Sequence, residues 1–176
     1  MAVIKEIDQR VLQIGAGLRK NWWVSKLKIF SINPKVIYFI VIILIVGDQS
    51  REENLGRGIF VLLLMFIMDI LIRYIKRVIG RPRPVKPESS VIKQICGFGP
   101  DAFSFPSQHS FTAFQFVSVI PFLFGSNLLY ILTPYAILVA FSRILMGHHY
   151  LTDVLAGSIL GIMSGGFIVI LCTNIT

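Results

Sequence analysis

The sequence predicts an all-α integral membrane protein with a single domain over residues 1–176. Hydrophobic residues make up 55% of the 176-residue chain, and its mean hydropathy is +0.74. They gather in apolar runs whose length suits helices that cross a hydrocarbon core of about 30 Å. These observations exclude a small soluble domain. We expect a bundle of about five transmembrane helices plus an N-terminal helix on the membrane surface.

Residues 1–30 predict an amphipathic helix that lies in the headgroup layer. Apolar residues recur at helical spacing among charged residues that include Asp8, and Trp22 and Trp23 follow beside lysines. An apolar face, a charged face and an aromatic anchor are typical of interfacial helices. The segment has no small-residue cleavage site after an apolar core, so we expect no cleavable signal peptide.

Five apolar runs predict the membrane spans, at 34–48, 58–77, 107–124, 128–145 and 153–172. Crossing the membrane in this order brings three polar segments to one face: the end of the second run, the start of the third, and the junction of the fourth and fifth. Residues 78–106 form a long loop for so compact a bundle, which favours an active-site loop. Cys96 lies in this loop and Cys172 near the opposite face, too far apart for a disulfide.

Basic residues cluster on that face, and three of them are predicted to bind a phosphate dianion. Arg143 and Arg83 offer planar forks for two oxygens, and Lys76 a compact point charge. Snorkelling and contact with lipid headgroups is the alternative role for such cations. We expect that alternative for four others: Arg77, Arg81, Lys86 and Lys93.

The third run begins with Pro106, Ser107, Gln108 and His109, which predict a helix start. Unpaired backbone N–H groups and the helix dipole make such a start an anion site. Ser107 either caps the helix or donates its hydroxyl to a phosphate oxygen, and the two roles are compatible.

His149 and Asp153 lie one helical turn apart and face the same way. A carboxylate that accepts from one imidazole nitrogen fixes the tautomer and frees the other nitrogen for attack. It is also expected to raise the pKa of His149. The alternative is that Asp153 only caps the start of the fifth span. The adjacent His148 lies on another helical face, where we expect a supporting or structural role.

Asp69 and Arg73 are a second pair with this spacing, inside the second span. Ionisable residues inside a membrane span are candidates for function. We expect either a supporting pair that orients Lys76 or a buried structural ion pair.

The three blocks resemble the type 2 phosphatidic acid phosphatase/vanadium haloperoxidase superfamily over about residues 58–170. The family pattern is Lys-x6-Arg-Pro, then Pro-Ser-Gly-His, then Ser-Arg-x5-His-x3-Asp. In the same order, this chain has Lys76 with Arg83-Pro84, then Pro106 to His109, then Ser142-Arg143 with His149 and Asp153.

The resemblance implies a role for each matching residue. His149 is implied as the nucleophile, Asp153 as its orienting partner and His109 as the general acid for the leaving group. The phosphate cradle would be Lys76, Arg83, Ser107, Arg143 and the backbone N–H of Gln108. The chain departs from the pattern at Gln108, where glycine would allow φ > 0 and a close approach of the backbone to an anion.

The resemblance also implies hydrolysis of a mono- or diphosphate ester on a membrane lipid through a phosphohistidine, without metal or other cofactor. Candidate substrates are lipid A 1-phosphate, undecaprenyl pyrophosphate, phosphatidylglycerol phosphate and phosphatidic acid. The alternatives are a vanadate-dependent haloperoxidase and a non-catalytic protein that binds or transports lipid phosphates. The expected partners are the bilayer and its lipids, with no nucleic acid.

Family members of this size imply a bacterial inner membrane, with the site facing the periplasm or outer surface. The charge distribution disagrees, because only Arg51 and Arg57 of the 17 Lys and Arg residues lie on the side away from the motifs. The positive-inside rule alone would place the motif side in the cytoplasm. Phosphate binding accounts for many of these cations, and we therefore follow the family orientation.

Overall fold

The computed structural model describes residues 2–18, 21–26, 52–84 and 103–175. Within these ranges the regular structure is helical, apart from one isolated bridge between Pro82 and Phe103. The predicted all-α membrane class is confirmed. The helices are α1 (Ala2–Leu18), α2 (Trp22–Lys26), α3 (Glu52–Ile79), α4 (Gln108–Phe124), α5 (Leu129–Leu145) and α6 (Leu151–Ile175), with a 3-10 turn at Ser126–Leu128 before α5.

Three stretches among the described residues are long and apolar enough to cross a membrane: Leu55–Ile79, Ser126–Leu145 and Leu151–Asn174. The helix α4, at 17 residues, matches the predicted run 107–124 closely. The helix α3 begins at Glu52, six residues before the predicted start of the second run at 58. The predicted span at 34–48 lies outside the described residues.

The helices α4 and α6 pack so closely that three glycines of α6 are required at their contact. A Cβ added to Gly157 would lie less than 3.0 Å from the backbone oxygen of Ser107, the residue before α4, and one added to Gly161 less than 3.0 Å from a backbone oxygen within α4. One added to Gly165 would lie less than 3.0 Å from the Ser118 side chain. Small residues let helix backbones approach in this way in membranes. Since α4 carries His109 and α6 carries Asp153, this contact sets the distance between two of the predicted motifs.

Polar and apolar side chains occupy opposite ends of the bundle. The end away from the motifs is an apolar cluster of Val61, Met65, Phe116, Val119, Ile120, Ile168 and Cys172. The motif end buries polar and charged side chains, among them Lys76, Ser104, Ser107, Arg143, His149 and Asp153. Burying so many polar groups is costly unless they are paired or functional, so this end is the candidate site.

The N-terminal helix α1 packs on α5 and α6 at the motif end. Its inner face carries Asp8 and Gly15, and Gly15 lies against the backbone of α5. Val3, Ile7 and Ile14 are exposed on a neighbouring face. The expected amphipathic helix is present, but the sequence assigned Asp8 wrongly to the headgroup layer. Only 1% of Asp8 is exposed, because it meets donors from two other segments.

Candidate active site

The first cations of the site lie at the end of α3 and in the residues that follow it. The helix stops where Gly80 takes φ 64 and donates its N–H to the Lys76 carbonyl oxygen at 3.1 Å, which is a left-handed helix terminus. The chain then runs extended beside residues 103–104: the Ser104 N–H donates to the Arg81 carbonyl at 2.7 Å, and the Ser104 hydroxyl to the Pro82 carbonyl at 3.0 Å. These bonds hold Arg81 and Pro82 beside the residues that lead into the second motif.

His149 is buried, and its nearest polar contact defines its tautomer. Its Nδ1 lies 2.8 Å from the backbone carbonyl oxygen of Ser104. A carbonyl oxygen can only accept, so Nδ1 carries the proton and Nε2 is left with a lone pair. The Asp153 Oδ2 is farther from Nδ1, at 3.7 Å. The tautomer is therefore fixed by a main-chain group of Ser104, with Asp153 as a nearby negative charge.

Asp153 bonds to two other groups. Its Oδ2 accepts from the Tyr150 N–H at 2.9 Å, which caps α6, and its Oδ1 accepts from Arg81 Nη1 at 2.6 Å. The capping role that the sequence left open is thus present. The prediction that Arg81 contacts lipid headgroups is wrong, because its guanidinium bridges Asp153 and Asp8. Arg77, for which the same role was predicted, is exposed, and Lys86 and Lys93 lie outside the described residues.

Burial lowers the pKa of His149 to about 4, and the neighbouring Asp153 offsets only part of that effect. The positive charges of Lys76 and Arg83 lower it further. Asp153 does raise this pKa, as expected, but burial outweighs its effect. At neutral pH the imidazole is uncharged, which is the state that a nucleophile requires.

Ser107 stands at the start of α4 without capping it through its side chain. Its N–H donates to the Asp153 carbonyl oxygen at 2.9 Å, which ties the second motif to the third. Its Oγ accepts from the Ser110 hydroxyl at 3.0 Å, so its own O–H can donate to a ligand. Gln108 is the first residue of α4, where helical N–H groups have no intrahelical partner. These are the donors that an anion at this helix start would meet.

Gln108 takes an ordinary helical conformation, since positive φ occurs only at glycines among the described residues. Its amide Nε2 donates to Asp69 Oδ1 at 2.8 Å. Asp69 also pairs with Arg73, whose Nε lies 3.0 Å from Oδ2. The side chain that replaces glycine is thus held against α3. The predicted ion pair exists, and its contacts run to α4 through Gln108 and, at 3.5 Å, Thr112. A role in orienting Lys76 stays a prediction.

Arg143 is a buried cation whose surroundings favour binding of an anion. It is 4% exposed, and its Nε and Nη2 are buried and make no hydrogen bond within the described ranges. Its Nη1 lies 3.4 Å from His148 Nδ1, which gives His148 the supporting position that was expected. A buried guanidinium with unused donors is costly unless an anion binds it. The hydroxyl of Tyr135, which the sequence did not single out, is also buried near Arg143 and makes no hydrogen bond to another described residue.

His109 completes the group from the first turn of α4, where it is half-buried. The charges of Arg143, Lys76 and Arg83 all act on its imidazole, as does His149. The three predicted cradle cations and His149 thus all lie within electrostatic range of His109. In the part of the chain that the structure describes, no three His, Cys, Asp or Glu side chains converge as a metal ligand set.

The sequence pattern of the PAP2 superfamily matches residues 57–176, the region that carries every predicted site residue. The chain belongs to the PAP2 superfamily. This membership confirms the predicted resemblance and the predicted class of enzyme, a membrane lipid phosphatase.

Three relatives illustrate how this PAP2 chain compares with others. It is 24% identical over 171 residues to the lipid A 4'-phosphatase of Bacteroides thetaiotaomicron, covering 92% of this chain and 75% of the relative. The crystal structure of a transmembrane PAP2 type phosphatidylglycerolphosphate phosphatase from Bacillus subtilis superimposes with a TM-score of 0.82 at 23% identity, over 100% of this chain and 89% of that one. The crystal structure of Aquifex aeolicus LpxE superimposes with a TM-score of 0.68 at 22% identity, over 94% of each chain.

Sequence reasoning missed four contributors to this PAP2 site: Asp8, Arg81, Ser104 and Thr152. Ser104 acts through its main chain, so its side chain carries no signal. Asp8 lies on α1, 144 residues before Thr152 in the chain. Its carboxylate accepts a hydrogen bond from the Thr152 N–H at 3.1 Å. Arg81 had one available signal, its position between Gly80 and Pro82, where the chain leaves the helix and is held extended.

Proposed function

We propose that the chain hydrolyses the phosphate ester of a membrane lipid through a phosphohistidine at His149, without a metal ion. The observation that carries this proposal is the buried Arg143 guanidinium, two of whose nitrogens make no hydrogen bond to any described residue. It lies at the same end of the bundle as the buried Lys76 and a neutral His149. A phosphoryl group among them would satisfy those donors and lie within reach of the His149 lone pair. Such fixed positive charges stabilise a phosphoryl group in transfer.

The reaction has two steps. In the first, His149 Nε2 attacks phosphorus, the bond from phosphorus to the lipid oxygen breaks, and His109 gives that oxygen its proton. In the second, water attacks the phosphohistidine, neutral His109 takes its proton, and inorganic phosphate leaves. Asp153 stabilises the positive charge that the ring of His149 carries in the intermediate. The cradle is formed by Lys76, Arg83, Arg143, the Ser107 hydroxyl and the N–H of Gln108.

The substrate class that we propose is a lipid monophosphate of a bacterial envelope. Two relatives are named for the 4'-phosphate of lipid A and for phosphatidylglycerolphosphate. A panel of lipid A, phosphatidylglycerol phosphate, phosphatidic acid and undecaprenyl pyrophosphate, assayed side by side, tests this choice. Preference for the pyrophosphate would overturn the monophosphate assignment and leave the reaction type standing.

We also propose an inner-membrane location with the site facing the periplasm or outer surface. The helix α6 starts at the site and ends at the opposite membrane face, so a C-terminal fluorescent protein would then lie in the cytoplasm. Such a fusion should fluoresce, and a C-terminal alkaline phosphatase fusion should be inactive. The reverse pair of results would place the site in the cytoplasm, as the positive charges alone suggest.

The deciding experiment is phosphate release from these lipids in the presence of EDTA. His149→Ala should abolish it, and labelled substrate should leave acid-labile phosphate on the wild type but not on this variant. His148→Ala is the matched control, an adjacent imidazole that should retain most of the turnover. Full turnover in His149→Ala would refute the proposal. Halogenation with vanadate and peroxide would favour a haloperoxidase, and tight lipid binding without turnover a non-catalytic protein.

A further inference from the structure

Asp8 is a buried carboxylate that the proposed mechanism leaves without a role. It lies on α1, outside residues 57–176 that match the PAP2 pattern. Its Oδ2 accepts hydrogen bonds from Arg81 Nη2 and from the Thr152 hydroxyl, both at 2.7 Å. Its Oδ1 accepts from the Thr152 N–H at 3.1 Å. Three donors around one buried carboxylate fix its position.

The bond to the Thr152 N–H places Asp8 at the start of α6. Tyr150 precedes that helix and has no side-chain oxygen placed to cap it in the manner of Ser, Thr, Asp or Asn. The carboxylate from α1 satisfies one of the unpaired N–H groups instead, and its charge suits the positive end of the helix dipole. The helix that carries Asp153 is therefore anchored by α1.

Arg81 links Asp8 to the reaction centre. One end of its guanidinium, Nη2, binds Asp8, while Nη1 binds Asp153 Oδ1 at 2.6 Å and Thr152 Oγ1 at 2.7 Å. The guanidinium also stacks on the Tyr150 ring, at 3.9 Å from the ring centroid. Burial alone would lower the pKa of Arg81, but its bonds to Asp8 and Asp153 raise it, so the bridge stays charged. The positive charge of Arg81 is thus shared between two carboxylates.

We propose that Asp8 is a positioning residue for the phosphatase reaction, acting through Arg81 on Asp153 and thereby on His149. The inference rests on the proposed role of His149 as nucleophile. Without the Asp8 charge, Asp153 alone would balance Arg81 and would stabilise the charged phosphohistidine less. The phosphate cradle would be unchanged. The loss should therefore fall on kcat and leave KM nearly constant.

The test compares Asp8→Asn with Glu6→Gln, a carboxylate change on the same helix. Glu6 forms an exposed ion pair with Arg10 and is the matched control, because such pairs contribute little. Loss of a charge-assisted bond in a buried network predicts a kcat lower by about tenfold or more in Asp8→Asn, with KM within about twofold. Glu6→Gln should match the wild type in both constants.

Asp8→Glu keeps the charge but moves the carboxylate by one methylene, so its kcat should lie between those of Asp8→Asn and the wild type. A purely structural role would lower the thermal stability of Asp8→Asn while leaving kcat per folded molecule unchanged. In a double-mutant cycle with Arg81→Ala, the two losses in kcat should be far from multiplicative.

Wild-type kcat in Asp8→Asn, or losses that simply multiply with those of Arg81→Ala, would overturn the inference. If Asp8→Asn does not fold, Asp8→Glu decides, and wild-type kcat in that variant would overturn it. A wild-type protein that releases no phosphate from any lipid would refute the proposed function and the inference together. An active wild type equalled by Asp8→Asn would refute the inference alone.

Discussion

The contact between α4 and α6 makes a sharp prediction about Gly161. A Cβ at this position would lie well inside van der Waals contact with the Phe111 carbonyl oxygen and close to the Gln115 N–H, both backbone groups of α4. Backbone cannot rotate away as a side chain does, so the helices must separate by about 1 Å to reach ordinary contact. Gly161→Ala should therefore be destabilising. Overpacking of this kind costs about 1–3 kcal/mol.

The same separation should reduce activity, because α4 carries His109 and Ser107 while α6 carries Asp153. A misplacement of about 1 Å between catalytic groups can cost on the order of 100-fold in rate. Helix bending will absorb part of the shift, since Gly161 lies two turns below Asp153. We expect kcat to fall about tenfold to 100-fold.

Gly166 supplies the control on the same helix, because a Cβ there meets nothing within 4 Å. Gly166→Ala should be neutral or slightly stabilising, by up to about 1 kcal/mol of helix propensity. Both variants are compared in detergent by thermal unfolding and by turnover of one lipid phosphate. An unfolding midpoint about 5 °C lower in Gly161→Ala alone is the expected order of magnitude. Equal midpoints and equal kcat values for the two variants would refute the close helix contact.

Three further predictions concern the site itself. His109→Ala should slow lipid substrates far more than p-nitrophenyl phosphate, whose leaving group needs little protonation; equal slowing would make His109 only a phosphate ligand. Gln108→Ala should keep kcat/KM within about tenfold, because its amide faces Asp69, and should cost about 1 kcal/mol of stability; a loss of several hundredfold would place that amide on the phosphate. Protonation stops His149 from attacking, and burial lowers its pKa to about 4. The acid limb of kcat/KM should therefore lie below the ordinary histidine range and move lower in Asp153→Asn, whereas a limb that does not move would belong to the substrate phosphate.

The sequence by itself determined the membrane class and most of the residues that we propose as the catalytic set. Apolar runs long enough to span a bilayer allow little besides helices, since backbone groups in lipid must be paired internally. Crossing order then predicted that the three motifs share one face, and the structure links the second and third there through the bond from the Ser107 N–H to the Asp153 carbonyl. Residue type and spacing within the motifs were enough to predict four site residues: Lys76, Arg143, His109 and His149.

The tertiary structure decided what each of these groups pairs with. The tautomer of His149 depends on a backbone carbonyl at Ser104, and main-chain acceptors look alike in every sequence. The pKa of His149 depends mainly on burial. Burial lowers it by more than the Asp153 charge, which the sequence spacing predicted, raises it. The sequence predicted surface positions for Asp8 and Arg81, because their partners lie more than 70 residues away along the chain. Such long-range pairs form only when the helices pack, so the local sequence pattern does not predict them.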